Sequence, residues 1–327
     1  MIGVYVHHRR RGHLHRVLPV VGALRDRGEE VTMILTGPIN EAMCPPGIRV
    51  ERLPVGGEAS ANAGGQGSDQ LSLASRRAAV SWMDRLRPRV LWVDSSPAMS
   101  LAGRMTGTPI VSSLPPGARH DRPHVLRCRS AAKLIGAWPP GAHQDTLSSV
   151  ERRVYEIGGI SRFERRDRVR RRDSGPRVVH LNRFGARGDH RFWRAVRTAV
   201  EGSGVADWVE LGGPDGRWRD DPWSELCSAD VVVTGAGQAS VADAACADVP
   251  LVVVPAKHEF GEYRATADAL AGIPGASVMR YGDGPSAVAN VVHAQVERAL
   301  EGQASGIRQW WGVDGAAGRA AEVIRAT

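Results

Sequence analysis

The sequence has almost no lysine and few aromatic residues. All but two of its 43 basic residues are arginine, and aromatic side chains make up 5% of the 327 residues. The protein therefore has a net charge of +8 but few aromatic side chains and no base-recognition motif. Nucleic-acid-binding domains combine aromatic side chains and such motifs with a basic surface. We expect no nucleic-acid partner, because an arginine bias of this kind is typical of a GC-rich coding sequence.

The sequence also lacks the patterns of disulfide scaffolds, zinc sites and membrane spans. Its four cysteines are scattered and form no C-x-x-C pair, which predicts free thiols in a reduced compartment and no structural zinc. No apolar run approaches the roughly 18 residues that cross a bilayer. At the N-terminus the apolar residues precede the charged ones, the reverse of a secretory signal, so we expect a cytoplasmic protein.

Strand and helix patterns alternate along both halves of the chain. Apolar runs at residues 2–6 and 31–35 predict buried strands, and the spacing at residues 13–27 predicts an amphipathic helix. Prolines and basic residues interrupt any pattern between residues 115 and 140, and the alternation restarts at residues 177–181. This order predicts an α/β fold of two Rossmann-like open parallel-sheet domains that face a central cleft.

The expected division of the chain follows from where this alternation stops and restarts. We expect an N-terminal acceptor-binding domain (residues 1–150), an arginine-rich linker (151–175), a C-terminal nucleotide-binding domain (176–302) and a C-terminal helix that packs back on the first domain (303–327). The densest basic run begins at Arg162 and ends at Arg172. It is suited to peripheral contact with a membrane surface or to contact with an acidic partner; the alternative is a solvated linker or an exposed helix.

A glycine turn at residues 235–240 has the strongest ligand-binding pattern. It reads G-A-G-Q-A-S between a buried strand and a helix, where backbone N–H groups at a helix N-terminus can hold a phosphate. Asp243 follows three residues after Ser240 and is expected on the same side of that helix, where it can bind a sugar hydroxyl. The third glycine of the dinucleotide fingerprint is absent, so we expect neither NAD nor FAD; a tight turn without a ligand is the alternative.

A histidine and an aspartate in the first half are candidate catalytic residues. His13 follows the first strand and can act as general base on a hydroxyl or donate to a phosphate. With His7, His8 and His15 it forms a tract that could also bind a metal or serve only the structure. Asp94 ends its strand, where it can orient such a histidine or cap the next helix. No D-x-D motif occurs, so no metal ion that bridges a diphosphate is expected.

These patterns together resemble the nucleotide-sugar glycosyltransferases of the GT-B fold, above all the MurG-like branch and the natural-product glycosyltransferases. The resemblance is specific over residues 218–270 and elsewhere covers only the two-domain layout. It implies that the second domain binds the UDP or dTDP part of a sugar donor. The residues implied to contact the donor are Arg183, Gly185, Trp218, Arg219, Gly237, Gln238, Ala239, Ser240, Asp243, His258, Glu262 and Tyr263.

The resemblance also implies which part of the donor each of these residues contacts. The loop that begins at Trp218 contacts the base, residues 237–240 hold the diphosphate, and Asp243 holds the ribose. Arg183 belongs to a second turn that faces the diphosphate, although alone it could equally be a solvated surface arginine. In the family, an amide pair contacts the donor sugar. Glu262 and its neighbour Tyr263 replace that pair here, so the resemblance does not imply which sugar is transferred.

The implied activity is that of a metal-independent inverting glycosyltransferase without a cofactor. It moves a hexose or N-acetylhexosamine from a UDP-sugar to an acceptor hydroxyl, in cell-envelope or secondary-metabolite synthesis, with His13 as the base and Asp94 as its helper. The acceptor is expected to be a lipid-linked glycan or a small molecule. The expected location is the cytoplasm, with the inner face of the membrane as a further possibility. The alternatives are a nucleotide-sugar hydrolase or epimerase on the same scaffold, and a non-catalytic partner subunit of a glycosyltransferase.

Overall fold

The structure, a computed structural model, describes most of the chain as two compact units. The described residues are 1–6, 11–37, 43–54, 71–150, 153–169, 175–182, 189–257 and 259–327, without the side chains of residues 11 and 259. Unit 1 contains Met1–Arg162 and Gly315–Thr327, and unit 2 contains Phe163–Asp314.

Unit 1 is a seven-stranded parallel sheet with helices between its strands. Its elements are β1 (Ile2–Val6), α1 (Arg11–Arg25), β2 (Val31–Leu35), β3 (Arg49–Arg52), α2 (Leu73–Leu86), β4 (Val90–Val93), α3 (Pro97–Met105), β5 (Ile110–Leu114), α4 (Arg122–Ser130), β6 (Lys133–Gly136), α5 (Gln144–Ser148) and β7 (Val154–Glu156). The strand order is β3-β2-β1-β4-β5-β6-β7. The order therefore reverses between β1 and β4, and ligands of open α/β sheets bind beyond the carboxyl ends of strands at such a switch point.

Unit 2 repeats this architecture with five parallel strands. Its elements are β8 (Arg177–Leu181), α6 (His190–Gly202), β9 (Asp207–Leu211), α7 (Trp223–Ser228), β10 (Val231–Thr234), α8 (Gln238–Cys246), β11 (Leu251–Val253), α9 (Glu262–Leu270), β12 (Ala276–Val278), α10 (Pro285–Leu300) and α11 (Ile307–Trp310). Short 3₁₀ turns cover Glu259–Gly261 and Tyr281–Asp283. The order is β12-β11-β10-β8-β9, so the switch point lies between β8 and β10.

The central strands are apolar because helices cover both faces of each sheet. Every residue of β1, β2, β4 and β10 is buried, as is typical of parallel sheets. Gly3 of β1 is required by this packing. A Cβ at Gly3 would lie 2.8 Å from Cδ1 of Leu91 and 2.9 Å from Cη2 of Trp82, so a larger residue would force the ring or the strand to move.

The division into units differs from the expected one at the proposed linker. β7 lies within residues 151–175 but pairs with β6, so that part of the segment belongs to the sheet of unit 1. The last helix, α12 (Ala316–Arg325), also belongs to unit 1, where its alanine-rich face joins the same core as Leu14 and Val17 of α1. No helix within the described ranges combines the length and the apolarity needed to cross a bilayer.

Candidate active site

The switch point of unit 1 brings His13 and Asp94 together. α1 begins soon after β1, Asp94 follows β4 directly, and β1 and β4 are neighbours in the sheet. Nδ1 of His13 lies 2.7 Å from Oδ2 of Asp94. The structure thus places two residues that are 81 positions apart in one hydrogen-bonded pair, as the sequence-based hypothesis of an oriented histidine requires.

The surroundings of Asp94 determine which nitrogen of His13 carries the proton. Asp94 is fully buried. Burial alone would raise the pKa of Asp94, but the charges of Arg16 and His13 and their hydrogen bonds hold that pKa well below its usual range. Because an ionised carboxylate only accepts hydrogen bonds, Nδ1 of His13 donates and Nε2 is the basic nitrogen. The side chain of His13 is 22% exposed, so a substrate can reach it.

Asp94 does not cap the next helix, which was the alternative for this residue. The N-cap of α3 is Ser96, whose side chain accepts a hydrogen bond from the backbone N–H of Met99. Between them Ser95 has a φ of 68°, a left-handed conformation that is uncommon for a non-glycine residue. This turn directs the two side chains to different tasks: Ser96 to the helix and Asp94 to His13.

Arg16 completes the site and was missed in the sequence. Its Nη2 lies 2.5 Å from Oδ1 of Asp94 and 3.2 Å from Nδ1 of His13. His13 and Arg16 are three residues apart on α1, the spacing that places side chains on one helix face. The spacing of His13 and Arg16 was therefore the signal available in the sequence. It does not indicate which strand of the sheet this face of α1 contacts.

Of the other histidines in the N-terminal tract, the structure describes His15, which does not join this pair. His15 is buried, and its Nε2 lies 3.1 Å from Nη1 of Arg162. His7 and His8 lie outside the described residues. Within the described part of the chain, no group of three or more histidine, cysteine, aspartate or glutamate side chains is placed to hold a metal ion.

The switch point of unit 2 contains the predicted phosphate turn. α8 begins at Gln238 with Gly237 as its N-cap, without a side-chain cap hydrogen bond and without an acidic residue in its first turn. Gly237, Gln238 and Ala239 are partly exposed, so an anion can approach the N–H groups of this end. Ser240 and Asp243 lie further along α8 and are only 3% and 2% exposed.

The start of α9 lies beside this turn. A Cβ at Gly237 would be 3.7 Å from Oγ of Ser240 and 3.9 Å from the hydroxyl of Tyr263, so the predicted diphosphate and sugar residues are neighbours. Glu262 lies in the first turn of α9. The preceding Phe260, which the sequence did not single out, has a φ of 63° and is 36% exposed.

The predicted base loop follows β9 at the same edge of the sheet as the phosphate turn. Trp218 is 49% exposed and its indole Nε1 donates to Oδ1 of Asp220 over 2.8 Å. Nε of Arg219 lies 3.2 Å from Oε1 of Glu225. An exposed indole in this position is suited to stacking on a flat base.

Three predicted donor residues lie outside the described residues: Arg183, Gly185 and His258. Just before the first two, Asn182 directly follows β8 and donates from Nδ2 to Oε1 of Glu210 over 2.8 Å. Asn182, the residue before Arg183, therefore lies at the switch point. The contact of Arg183 itself with a diphosphate stays a prediction.

Part of the arginine-rich run has partners within the protein. Arg162 contacts His15 in unit 1, whereas in unit 2 Nη1 of Arg166 donates to Oδ2 of Asp221 over 2.6 Å and its guanidinium lies over the ring of Phe163. Arg172 lies outside the described residues. Membrane contact through this run stays a prediction.

The fold, but not the sequence, matches known proteins. No family model and no curated protein matches the sequence. MurG of Acinetobacter baumannii is 16% identical with a TM-score of 0.66, and the match covers 100% of this chain and 99% of that one. The calicheamicin glycosyltransferase CalG4 is 18% identical, with a TM-score of 0.63 and coverage of 99% and 97%. Arabidopsis thaliana UGT89C1 complexed with UDP-L-rhamnose is 14% identical, with a TM-score of 0.67 and coverage of 99% and 98%.

Identities this low show the fold alone. The chain has the two-domain GT-B fold that the resemblance implied, and that prediction is confirmed. The activity and the donor residues are not decided by these likenesses and depend on the chemistry of the site.

Proposed function

We propose that this protein is an inverting glycosyltransferase that moves a sugar from a UDP-sugar to an acceptor hydroxyl. The observation on which this rests is the His13–Asp94 pair at the switch point of unit 1, a partly exposed imidazole whose Nδ1 is held by a buried carboxylate. Such a pair is suited to general-base catalysis on a hydroxyl. The GT-B fold and its occurrence in known glycosyltransferases support the same reaction class.

The base acts on the acceptor. Nε2 of His13 removes the proton of the acceptor hydroxyl while that oxygen forms a bond to the anomeric carbon of the donor. The bond between the anomeric carbon and the diphosphate oxygen breaks, and its electron pair leaves with UDP. Asp94 stabilises the imidazolium that forms and holds the ring in the reactive tautomer. One displacement on the side opposite the leaving group inverts the anomeric centre.

The phosphate turn of unit 2 acts on the leaving group. The N–H groups at the start of α8 point toward the negative charge that develops on the diphosphate, and the helix dipole favours it. Gln238, Ala239 and Ser240 are the proposed contacts, with the hydroxyl of Tyr263 beside them. We propose no metal ion in this step because the sequence contains no D-x-D motif.

UDP is the proposed nucleotide, with dTDP as the close alternative. The plant protein UGT89C1 of the same fold was solved with UDP-L-rhamnose. Trp218 would stack on the base and Asp243 would hold the ribose. Since Asp243 lies in α8 and is only 2% exposed, its contact with a ribose requires that the residues packed over it move when the nucleotide binds. The acceptor, the cytoplasmic location and membrane contact stay predictions.

A panel of nucleotides and acceptors tests the proposal. UDP, dTDP and their sugars are added to the protein and its thermal unfolding is measured. A ligand at 100 times its Kd raises the free energy of unfolding by about 2.7 kcal/mol. The donor that stabilises is then incubated with phenolic, sugar and lipid-linked acceptors while UDP release and the product are measured. We expect UDP release that depends on the acceptor.

Other outcomes identify the alternatives. UDP release at the same rate with and without acceptor would show a hydrolase, and a changed sugar on an intact donor would show an epimerase. No stabilisation by any nucleotide would favour a non-catalytic partner subunit and contradict the proposed function.

A further inference from the structure

Asp94 has two partners, and the reaction described above uses only one of them. Oδ2 faces Nδ1 of His13 at 2.7 Å, and Oδ1 faces Nη2 of Arg16 at 2.5 Å. The carboxylate is fully buried, whereas the side chain of Arg16 is 14% exposed. One oxygen is therefore assigned to the imidazole and the other to the guanidinium.

We propose that Arg16 is a positioning residue of the reaction: its guanidinium holds the carboxylate of Asp94 in place and so fixes the oxygen that faces His13. The inference rests on the proposed function, because it needs His13 as the base. It goes beyond that function by adding a third residue, on the same helix face as His13, that acts through Asp94 rather than on the substrate.

The cost of burying a carboxylate explains why a second partner is needed. A buried carboxylate with one imidazole partner would keep an unsatisfied oxygen, which costs free energy comparable to the loss of a charged hydrogen bond. It could relieve this cost by binding a proton or by rotating about its Cβ–Cγ bond. Either change removes the fixed acceptor for Nδ1 of His13. An arginine prevents both, because its guanidinium stays charged at every pH of interest and presents a rigid set of donors.

The position of Arg16 in α1 indicates that it orients the carboxylate of Asp94 and does not only stabilise the fold. Its Nη2 also lies 3.2 Å from Nδ1 of His13. The two donors therefore approach Asp94 from the same side, and each limits the movement of the other. Loss of the guanidinium is expected to leave the helix in place but to free the carboxylate.

Proton NMR of the full-length protein tests this without any substrate. A proton hydrogen-bonded between an imidazole and a buried carboxylate resonates far downfield. We expect such a signal in the wild type, its loss in His13→Gln, and its loss or clear upfield shift in Arg16→Met. Arg16→Lys should restore part of it, because the charge returns without the planar fork. Arg27→Met removes an arginine that pairs with Glu322 and should leave the signal unchanged.

Kinetics with the donor and acceptor found in the panel test the consequence for the reaction. Arg16→Met should lower kcat by about 10-fold to 100-fold, a part of the roughly 10²–10⁴-fold that a general base contributes, with KM for the donor nearly unchanged. In an Asp94→Asn background the same substitution should have little further effect, because residues that act as a unit are not additive.

The possible results separate this inference from the proposed function. A downfield signal and a kcat that survive Arg16→Met would overturn the inference alone, provided that His13→Gln abolishes turnover. Full turnover in His13→Gln would overturn both. If Arg16→Met does not fold, Arg16→Lys decides: wild-type signal position and wild-type kcat in this variant show that the fork geometry has no positioning effect.

Discussion

At the scale of single residues, the surroundings of a side chain decide its chemistry more than its type does. His180 lies near the carboxyl end of β8, and His13 lies in the first turn of α1, the helix that follows β1. His13 is partly exposed and faces a carboxylate, whereas His180 is 2% exposed and its ring lies 4.3 Å from that of Trp193 and 5.3 Å from that of Trp208. The first can exchange protons with a substrate, and the second is held neutral in an aromatic core.

Replacement of His13 should abolish the base without affecting donor binding. We expect His13→Gln to lower kcat by about 10²–10⁴-fold, the usual contribution of a general base, with an unchanged affinity for UDP because the nucleotide is proposed to bind unit 2. Steady-state kinetics and calorimetry with UDP measure the two effects. His293→Gln, at a surface histidine that contacts Ser203, is the matched control. Turnover of His13→Gln at the wild-type rate would remove the proposed base.

Replacement of His180 should make the protein less sensitive to acid. Burial lowers the pKa of His180 to about 3, below the value of about 6.5 in the unfolded chain. The unfolded state therefore binds more protons between these values, so this contribution to stability is complete above pH 6.5 and is lost as the pH falls toward 3. In His180→Phe the loss of unfolding free energy between pH 7 and pH 5 should be about 2 kcal/mol smaller than in the wild type. Denaturant titrations at both pH values measure it, and equal losses in both proteins would contradict it.

The candidate residues that the sequence predicted lie at, or a few residues beyond, the end of an apolar run. Asp94 follows β4 directly and Gly237 lies three residues beyond β10, and such positions lie at the carboxyl edge of a parallel sheet. Arg16 gave no such signal, because the face of α1 that meets Asp94 depends on a contact between residues 78 positions apart. Phe260 was also missed, since its left-handed backbone is not encoded in any pattern of neighbouring residues.

At the scale of helices and strands, the short and partly exposed elements were missed. β3, β7 and β12 have three or four residues and are partly exposed, so they lack the apolar run that identifies β1. α4 begins with the sequence Arg-Pro after its N-cap Asp121, which reads as a loop although proline is well tolerated in a first helical turn. The strand order that places β1 beside β4 likewise depends on packing rather than on local sequence.

The cap of α3 should affect both stability and turnover. Ser96 caps this helix two residues after Asp94, so its loss should let the turn that holds Asp94 shift. We expect Ser96→Ala to cost about 1 kcal/mol of unfolding free energy and to lower kcat. Ser72→Ala removes the cap of α2 and should cost a similar free energy without loss of kcat. Denaturant unfolding and kinetics compare them, and equal kcat values in the two variants would show that the cap does not support the site.

At the scale of the whole molecule, one architectural principle occurs twice. Each unit is an open parallel sheet whose strand order reverses once, and each places its candidate residues at that reversal. The proposed reaction assigns the base to unit 1 and the leaving group to unit 2. The alternation of patterns made this two-part α/β fold predictable from the sequence, whereas the unit boundary at Arg162 was not, because β7 lies in a polar, arginine-rich segment.

Nucleotide binding should therefore be visible in one unit only. Hydrogen exchange of the protein with and without UDP should show slower exchange in residues 235–246 and 259–270, which include α8 and α9, and no change in β1 or β4. Asp243→Asn keeps the size of the buried side chain but replaces one acceptor oxygen with an NH2 donor, and it should weaken the protection if Asp243 holds the ribose. Asp189→Asn, at the cap of α6, is the matched control. Protection by UDP in unit 1 instead, or unchanged protection in Asp243→Asn, would contradict the donor site or the ribose contact respectively.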